Sequence, residues 1–261
     1  MKQRLTSETS ILLEALIALI LALPRLISKR AKKRYQAAIR KTKEHLFTEQ
    51  PGTNALILLT TTTSIIAWFL PSNIIDQLVL RPSDLASLKL YTLITAGLMH
   101  ANITHLAGNM LALFVFGRQA ENALGKQRLF AAYLGALIIS GLISSAANHF
   151  LLGNDTPGLG ASGAVMGVVA IAMLAKPLSI TYIFLFPLPL AAVGWLYLLA
   201  DLTGLTTQAS NIGHLAHLGG FASITLTTYL FSKEERRGLK RGLIICFATL
   251  IVMLGLRLLL G

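Results

Sequence analysis

Residues 159–175 read LGASGAVMGVVAIAMLA, a stretch of the chain without a charged side chain. Such a composition is typical of a membrane span, because about 20 mostly apolar residues cross the roughly 30 Å of hydrocarbon in a bilayer. Gly163 and Gly167 are four residues apart, which allows a neighbouring helix to approach closely. The stretch therefore predicts a spanning helix that carries one hydroxyl side chain, Ser162, near its start.

The rest of the chain has the same apolar character. Of its 261 residues, 54% are hydrophobic and only 13% are charged, which excludes a disordered protein and argues against an ordinary soluble domain. One apolar segment contains Pro187 and Pro189, which should bend or loosen its helix. We predict an all-α membrane protein with seven spans, at 54–75, 103–119, 127–148, 159–175, 178–200, 211–231 and 243–260.

The net charge of +12 arises from 23 Lys and Arg against 11 Asp and Glu, a balance that would indicate nucleic acid as the partner of a soluble protein. If the segment before Asn54 is cytoplasmic, the loops on that side hold 18 basic residues. The opposite loops hold only Arg81 and Lys89. Basic residues collect in cytoplasmic loops of membrane proteins, so the charge indicates topology, and we expect no nucleic-acid partner. The cytoplasmic loops in this arrangement are 25–53, 118–128, 176–177 and 232–242.

The N-terminal apolar run Ile11–Leu23 contains Glu14 and would be about 20 Å long as a helix, which is short for a span. The basic residues before it fit a signal peptide, but Pro24-Arg25 and the basic stretch beyond do not resemble a cleavage site. We expect residues 1–52 to form a basic cytoplasmic segment with a helix at the membrane interface. An eighth span is the alternative.

Three polar clusters interrupt the predicted spans. Ionisable and nucleophilic side chains at membrane depth are costly and indicate function. In the predicted topology, all three clusters lie on the extracytoplasmic side. They are His100 with His105 and Asn109 in the second span, Gly160-Ala-Ser162-Gly163 in the fourth, and His214 with His217 in the sixth.

These residue types fit acyl transfer. A Ser hydroxyl is a weak nucleophile until a base accepts its proton, and a neutral His within hydrogen-bonding distance can do so. The reaction also needs donors for the developing oxyanion, which backbone N–H groups and Asn or His side chains supply. The co-occurrence of the three clusters at one depth favours catalysis.

Simpler interpretations exist for each cluster. Small residues in membrane helices usually serve packing, and a membrane Ser usually bonds its own helix backbone. The histidines could ligate a metal or relay protons in a transporter. However, the sequence has no H-E-x-x-H motif, no acidic residue near these histidines, and no internal repeat of the kind found in many transporters. The single Cys246 excludes an intramolecular disulfide and a multi-cysteine metal site.

At these motifs the sequence resembles the rhomboid intramembrane serine proteases, over roughly residues 54–231. The resemblance implies a six-helix transmembrane bundle at 53–232, with an additional C-terminal transmembrane helix at 243–260. The segment 76–102 would be a membrane-embedded first loop, and the fifth span would be a mobile gate. The matching motifs are H-x4-H-L-x2-N (His100, His105, Asn109), G-x3-E (Gly117, Glu121), G-x-S-G (Gly160, Ser162, Gly163) and A-H-x-G-G (Ala216, His217, Gly219, Gly220).

The resemblance also implies residue roles. Ser162 would be the nucleophile and His217 the general base of a dyad without a third carboxylate. His105 and Asn109 would line the oxyanion hole with the Ser162 N–H, and no metal or cofactor would be needed. The supporting positions would be His100, whose role is more structural, together with Glu121, Gly160, Gly163, Met166 and Gly220.

One position departs from the family's pattern. The family often has Tyr or Phe four residues after the nucleophile, packing against the base, and this chain has Met166 there. Met is apolar and flexible and can contact a ring, so we expect retained but altered positioning of His217. His214 precedes the A-H-x-G-G motif, and the resemblance assigns it no catalytic role.

The sequence thus predicts an intramembrane serine endopeptidase that cleaves transmembrane proteins within the lipid bilayer. The alternative is a catalytically inactive, rhomboid-like protein that binds membrane clients. We expect a multi-pass protein of a bacterial cytoplasmic membrane, with its active site towards the extracytoplasmic side. The sequence leaves the oligomeric state open.

Overall fold

Helices dominate this computed structural model, which describes residues 50–183, 186–206, 211–224 and 231–260. The expected interfacial helix at Ile11–Leu23 lies outside these residues. In the first half of the described chain the α-helices are α1 (Pro51–Ala67), α2 (Ser72–Leu78), α3 (Thr92–Thr95), α4 (Ile103–Ala112), α5 (Arg118–Leu124) and α6 (Lys126–Ala146). Short 3₁₀ turns occupy Pro82–Asp84 and Ala96–Leu98, and π-helical turns extend α4 at Leu113–Gly117 and α6 at Ala147–Leu151.

The second half contains four helices and a small hairpin within the described residues. The elements are α7 (Ser162–Ala175), β1 (Ile180–Ile183), β2 (Phe186–Pro189), α8 (Leu190–Thr206), α9 (Asn211–Ala222) and α10 (Lys233–Leu260). Helix α7 lies at the centre and packs against α6, α8, α9 and α10. Every residue from Gly163 to Met173 is buried, as expected for a helix that is apolar on all sides.

Close backbone contacts hold α7 to its neighbours, as its small residues predict. A Cβ added at Gly220 of α9 would collide with the carbonyl group of Gly163. A Cβ added at Gly167 would collide with the Ala136 side chain of α6. These glycines therefore set the separation of the three helices, because any larger residue would push them apart.

The predicted span at 178–200 is wrong in its first half, where the chain forms an antiparallel hairpin. Strand β1 pairs with β2 in a register that places Ile180 opposite Pro189 and Tyr182 opposite Pro187. The Leu190 N–H donates to the Ser179 carbonyl at 2.8 Å, so by alternation both prolines occupy pairs that exchange no hydrogen bonds. The missing N–H groups of the prolines therefore remove no hydrogen bond from the hairpin, whereas the same prolines inside a helix would break it.

The predicted loop at 232–242 is also wrong, because α10 begins at Lys233 rather than near residue 243. The Ser232 hydroxyl oxygen accepts the Glu235 N–H at 3.2 Å, and the Glu235 carboxylate accepts the Ser232 N–H at 2.6 Å. This reciprocal pair is a capping box, which satisfies two backbone donors at the start of a helix.

Three contacts anchor α10 to the rest of the chain. Arg128 at the start of α6 makes two hydrogen bonds, of 3.0 and 3.1 Å, to the Glu235 carboxylate. The Trp195 indole N–H of α8 donates to the Cys246 carbonyl at 2.7 Å, and Gly242 lies directly against the Leu174 carbonyl. The additional helix therefore touches both the central helix and α8.

Two of the described helices are long and apolar enough to cross a membrane, namely Lys126–Leu151 and Lys233–Gly255. Ser162–Ala175 and Leu190–Leu199 are shorter apolar helices. The first predicted span, 54–75, is interrupted where α1 ends at Ala67, ahead of Pro71. The helical character is therefore observed, while the arrangement of six spans plus one stays a prediction.

Candidate functional site

Ser162 is the first residue of α7 and is partly buried. Gly160, two residues earlier, has φ +131°, a conformation that residues with a Cβ rarely adopt. A Cβ at this position would also lie 2.6 Å from Cε1 of His105. Position 160 therefore requires glycine for two reasons. The backbone turn that leads into α7 has a positive φ, and the His105 ring occupies the space that a Cβ would need.

The crossing of α7 and α9 brings Ser162 and His217 to the same level. Gly163, next to Ser162, touches the backbone of Gly220. His217 lies about one helical turn before Gly220 on α9, since a turn contains 3.6 residues. The contact between Gly163 of one motif and Gly220 of the other therefore places the side chains of Ser162 and His217 at one site.

His105 and Asn109 lie one turn apart on α4. The Asn102 side chain accepts the His105 N–H at 2.8 Å and caps the helix. The Asn109 side-chain amide donates to the His105 carbonyl at 3.0 Å. A side-chain amide has two N–H donors, so this bond leaves a second donor for another acceptor.

His100 is buried, with 2% of its surface exposed, and it contacts both Ala161, which precedes Ser162, and His105. The Ser64 hydroxyl lies 3.1 Å from the Leu98 carbonyl and 3.0 Å from Nδ1 of His100. Because the hydroxyl has one proton to donate, donation to Leu98 makes His100 Nδ1–H the donor to Ser64. His100 Nε2 then accepts the Ala161 N–H at 3.4 Å, and its ring packs against His105 at 4.8 Å between centroids.

Two cavities meet at these residues, with volumes of about 520 and 380 Å³. Both are lined by His105, Ser162, His214 and His217. The larger one extends to Ser140 and Ser144 of α6, and the smaller one extends to Asn109, Met166 and Tyr197. Among the described residues, neither lining contains an Asp or a Glu.

One side of the larger cavity is lined by two loops that are joined to each other, at residues 80–82 and 156–158. Leu80 and Gly158 form a two-residue β-bridge. The Ser83 N–H and hydroxyl donate to the Asp155 carboxylate at 2.7 and 2.9 Å. The hydrogen bond from the Ser83 backbone N–H lowers the pKa of Asp155 below its ordinary value. The first loop and the loop before Ser162 are therefore held together beside the cavity.

Glu121 does not line either cavity in the described structure. Its buried carboxylate accepts the N–H of Gly52 at 2.8 Å, the N–H of Thr53 at 2.7 Å and the Thr53 hydroxyl at 2.7 Å. Gly117, one turn earlier on the helix, lies against the Thr53 side chain. The G-x3-E motif therefore fastens the start of α1, apart from the cluster around Ser162.

Two residues at the cavities carry no expected role from the sequence. His214 lines both cavities, and its position three residues before His217 is the signal that the sequence offers for it. Tyr197 of α8 lines the smaller cavity, and no motif marks it. Within the part of the chain that the structure describes, no group of three or more His, Cys, Asp or Glu side chains could hold a metal ion.

Comparison with known proteins gives a family match and several relatives. A family model described as Rhomboid domain matches residues 87–234. RHOMBOID-like protein 12, mitochondrial, from Arabidopsis thaliana is 32% identical over 149 residues, which are 51% of this chain and 44% of that protein. Rhomboid protein 1, mitochondrial, from Saccharomyces cerevisiae is 29% identical over 189 residues, which are 67% of this chain and 52% of that protein.

A bacterial relative is the Rhomboid protease AarA from Providencia stuartii. It is 29% identical over 177 residues, which are 60% of this chain and 62% of that protein. The chain thus covers less than two thirds of the length of each of these three relatives.

Proposed function

The chain belongs to the rhomboid family, and from this premise we propose that it is an intramembrane serine endopeptidase acting on transmembrane proteins. The observation that carries the proposal is the lining shared by the two cavities. Ser162, His217 and His105 come from three different helices and border the same two spaces. A nucleophile, a base and an oxyanion donor therefore surround a volume that a peptide bond could enter.

In the proposed reaction, the Ser162 hydroxyl attacks the scissile carbonyl carbon while His217 accepts its proton. The oxyanion that forms is bound by His105, by the second amide donor of Asn109 and by the Ser162 N–H. That N–H is suited to the role because the first N–H groups of a helix have no intrahelical acceptor. His217 then returns the proton to the leaving amine, and water hydrolyses the acyl-enzyme by the same route.

A transmembrane substrate must change its conformation to react. The carbonyl groups of a helix are engaged in hydrogen bonds, so the substrate helix must unwind locally beside Ser162. Water must reach the same point, and the polar side chains of the larger cavity, Ser140 and Ser144, give it a path.

The rhomboid domain and the apolar helices indicate an integral membrane protein. We propose that its active site faces away from the basic loops. The comparisons do not support the expected bacterial cytoplasmic membrane, because the names of two of the relatives above contain the word mitochondrial. Cell fractionation of the source organism tests which membrane holds the protein.

A fluorophosphonate probe, which reacts with activated serines, tests the proposed chemistry on the purified full chain. We expect the wild type to be labelled at Ser162, and both Ser162→Ala and His217→Ala to lose labelling and cleavage of a model transmembrane substrate. Ser87→Ala and His149→Ala are matched controls outside both cavities and should behave as the wild type does.

The same experiment separates the enzyme from the inactive client-binding protein. A folded wild type whose Ser162 does not react, and that binds the substrate without cleaving it, would support the binding function. Full cleavage by Ser162→Ala would refute the dyad.

A further inference from the structure

Four of the described residues line both cavities, namely His105, Ser162, His214 and His217. The proposed dyad and oxyanion hole give a role to each of them except His214. It lies on α9 one turn before His217, and both side chains are partly buried. Their rings are perpendicular, with an interplanar angle of 90° and centroids 6.2 Å apart. Edge-to-face is one of the two arrangements that aromatic rings favour at such distances, the other being offset stacking.

A ring contact matters for the base because its imidazole must be held in a reactive orientation. In a catalytic triad a carboxylate does this, and neither cavity is lined by a carboxylate among the described residues. Met166 shares the smaller cavity with His217. Its unbranched thioether chain has three rotatable bonds, so it restrains a neighbouring ring less than a flat side chain does.

We propose that His214 is a positioning residue, whose ring holds the imidazole of His217 in the orientation that accepts the proton of Ser162. The proposal rests on the proposed endopeptidase function. In this role His214 acts through the shape of its ring, so another flat ring should replace it, whereas a side chain without a ring should not. Misplacement of a reacting group by about 1 Å can reduce a rate by as much as two orders of magnitude.

The test compares His214→Ala with His214→Phe by the rate of fluorophosphonate labelling at Ser162 and by kcat and KM for a model transmembrane substrate. We expect His214→Ala to lower the labelling rate and kcat at least about tenfold with little change in KM, since only the reacting geometry is lost. His214→Phe should stay within about threefold of the wild type. His149→Ala, which removes a histidine outside both cavities, should leave all three values unchanged.

A second substitution, at Met166 of α7, tests the same positioning role from the other side of the smaller cavity. Met166→Phe supplies a ring at the position of the flexible side chain, so it should restore part of the activity that His214→Ala loses. Non-additive effects of this kind are expected for residues that are coupled through a shared cavity, as His214 and Met166 are here. If His214→Ala does not fold, His214→Gln keeps a polar side chain without a ring and takes its place in the comparison.

Two results would overturn the proposal. One is labelling by His214→Ala or His214→Gln at the wild-type rate, and the other is a His214→Phe variant as slow as the variant without a ring. Either result leaves the dyad intact as long as the wild type is labelled at Ser162. A wild type that is not labelled at Ser162 would refute the proposed function itself, and the role of His214 with it.

Discussion

At the scale of single residues, Gly160 links the backbone turn before α7 to the position of His105. Its φ of +131° and the 2.6 Å that would separate an added Cβ from His105 Cε1 act independently. We therefore expect Gly160→Ala to destabilise the fold by about 1–3 kcal/mol through backbone strain, and to displace His105 in addition. Thermal unfolding measures the first effect, and the fluorophosphonate labelling rate measures the second.

Gly153→Ala is the matched control for this prediction. Gly153 also has a positive φ, of +60°, but a Cβ there would meet no atom within 4 Å. It should lose about 1–2 kcal/mol of stability through its left-handed conformation and keep the wild-type labelling rate per folded molecule. Equal labelling rates for the two variants would show that the contact with His105 does not matter.

Sequence motifs predict which chemical groups form the site, because the sequence states the type of every side chain. Ser162, His217 and His105 are predicted in this way, and the structure brings them to the same cavities. The role of Glu121 could not be read from the motif, because its partners Gly52 and Thr53 are almost 70 positions away in the chain. The ring contact of His214 depends on side-chain conformation, which spacing on a helix does not determine.

At the scale of elements, the start of α1 depends on one buried carboxylate from α5. Glu121 accepts three hydrogen bonds there, and hydrogen bonds to a charged group contribute about 1.5–3 kcal/mol each. We expect Glu121→Gln to lower the free energy of unfolding by at least about 2 kcal/mol, because the amide removes the charge and turns one acceptor into a donor. Denaturant or thermal unfolding in detergent measures the loss.

The exposed residue Glu234 provides the control for this substitution. Glu234→Gln makes the same chemical change at an exposed position in the first turn of α10 and should change stability by less than about 0.5 kcal/mol. Because Glu121 lines neither cavity, the folded fraction of Glu121→Gln should keep the wild-type labelling rate. A Glu121→Gln variant that is fully stable but unreactive would instead place Glu121 in the chemistry.

Apolar composition predicts where helices occur better than where they begin. Pro187 and Pro189 are expected to bend a helix, but with Ile180 and Tyr182 as partners they form a hairpin, since β-branched and aromatic residues favour strands. Ser232 and Glu235 form the capping box that starts α10. That pattern is present in the sequence, but the high charge of 232–242 favours a loop when hydropathy alone defines the span.

At the scale of the whole molecule, the described structure gives two faces that the topology prediction places on opposite sides of the membrane. Ser87 is exposed in the first loop, other residues of which line the larger cavity, and Glu234 is exposed at the basic start of α10. The positive-inside rule places the basic end in the cytoplasm. The single cysteine, Cys246, is buried with 2% of its surface exposed, so the wild type should react little with a polar thiol reagent.

These conditions allow a direct test of orientation in intact bacterial cells that express the protein. A membrane-impermeant maleimide should label Ser87→Cys from outside, and it should label Glu234→Cys only after the membrane is permeabilised. The wild type serves as the background control. The predicted topology would be contradicted if both variants were labelled from outside, or if Glu234→Cys alone were labelled. Labelling of Glu234→Cys alone would place Ser162 on the cytoplasmic side, because the site lies at the end of α7 that adjoins the first loop. Labelling of both variants from outside would contradict only the predicted position of the basic end of α10.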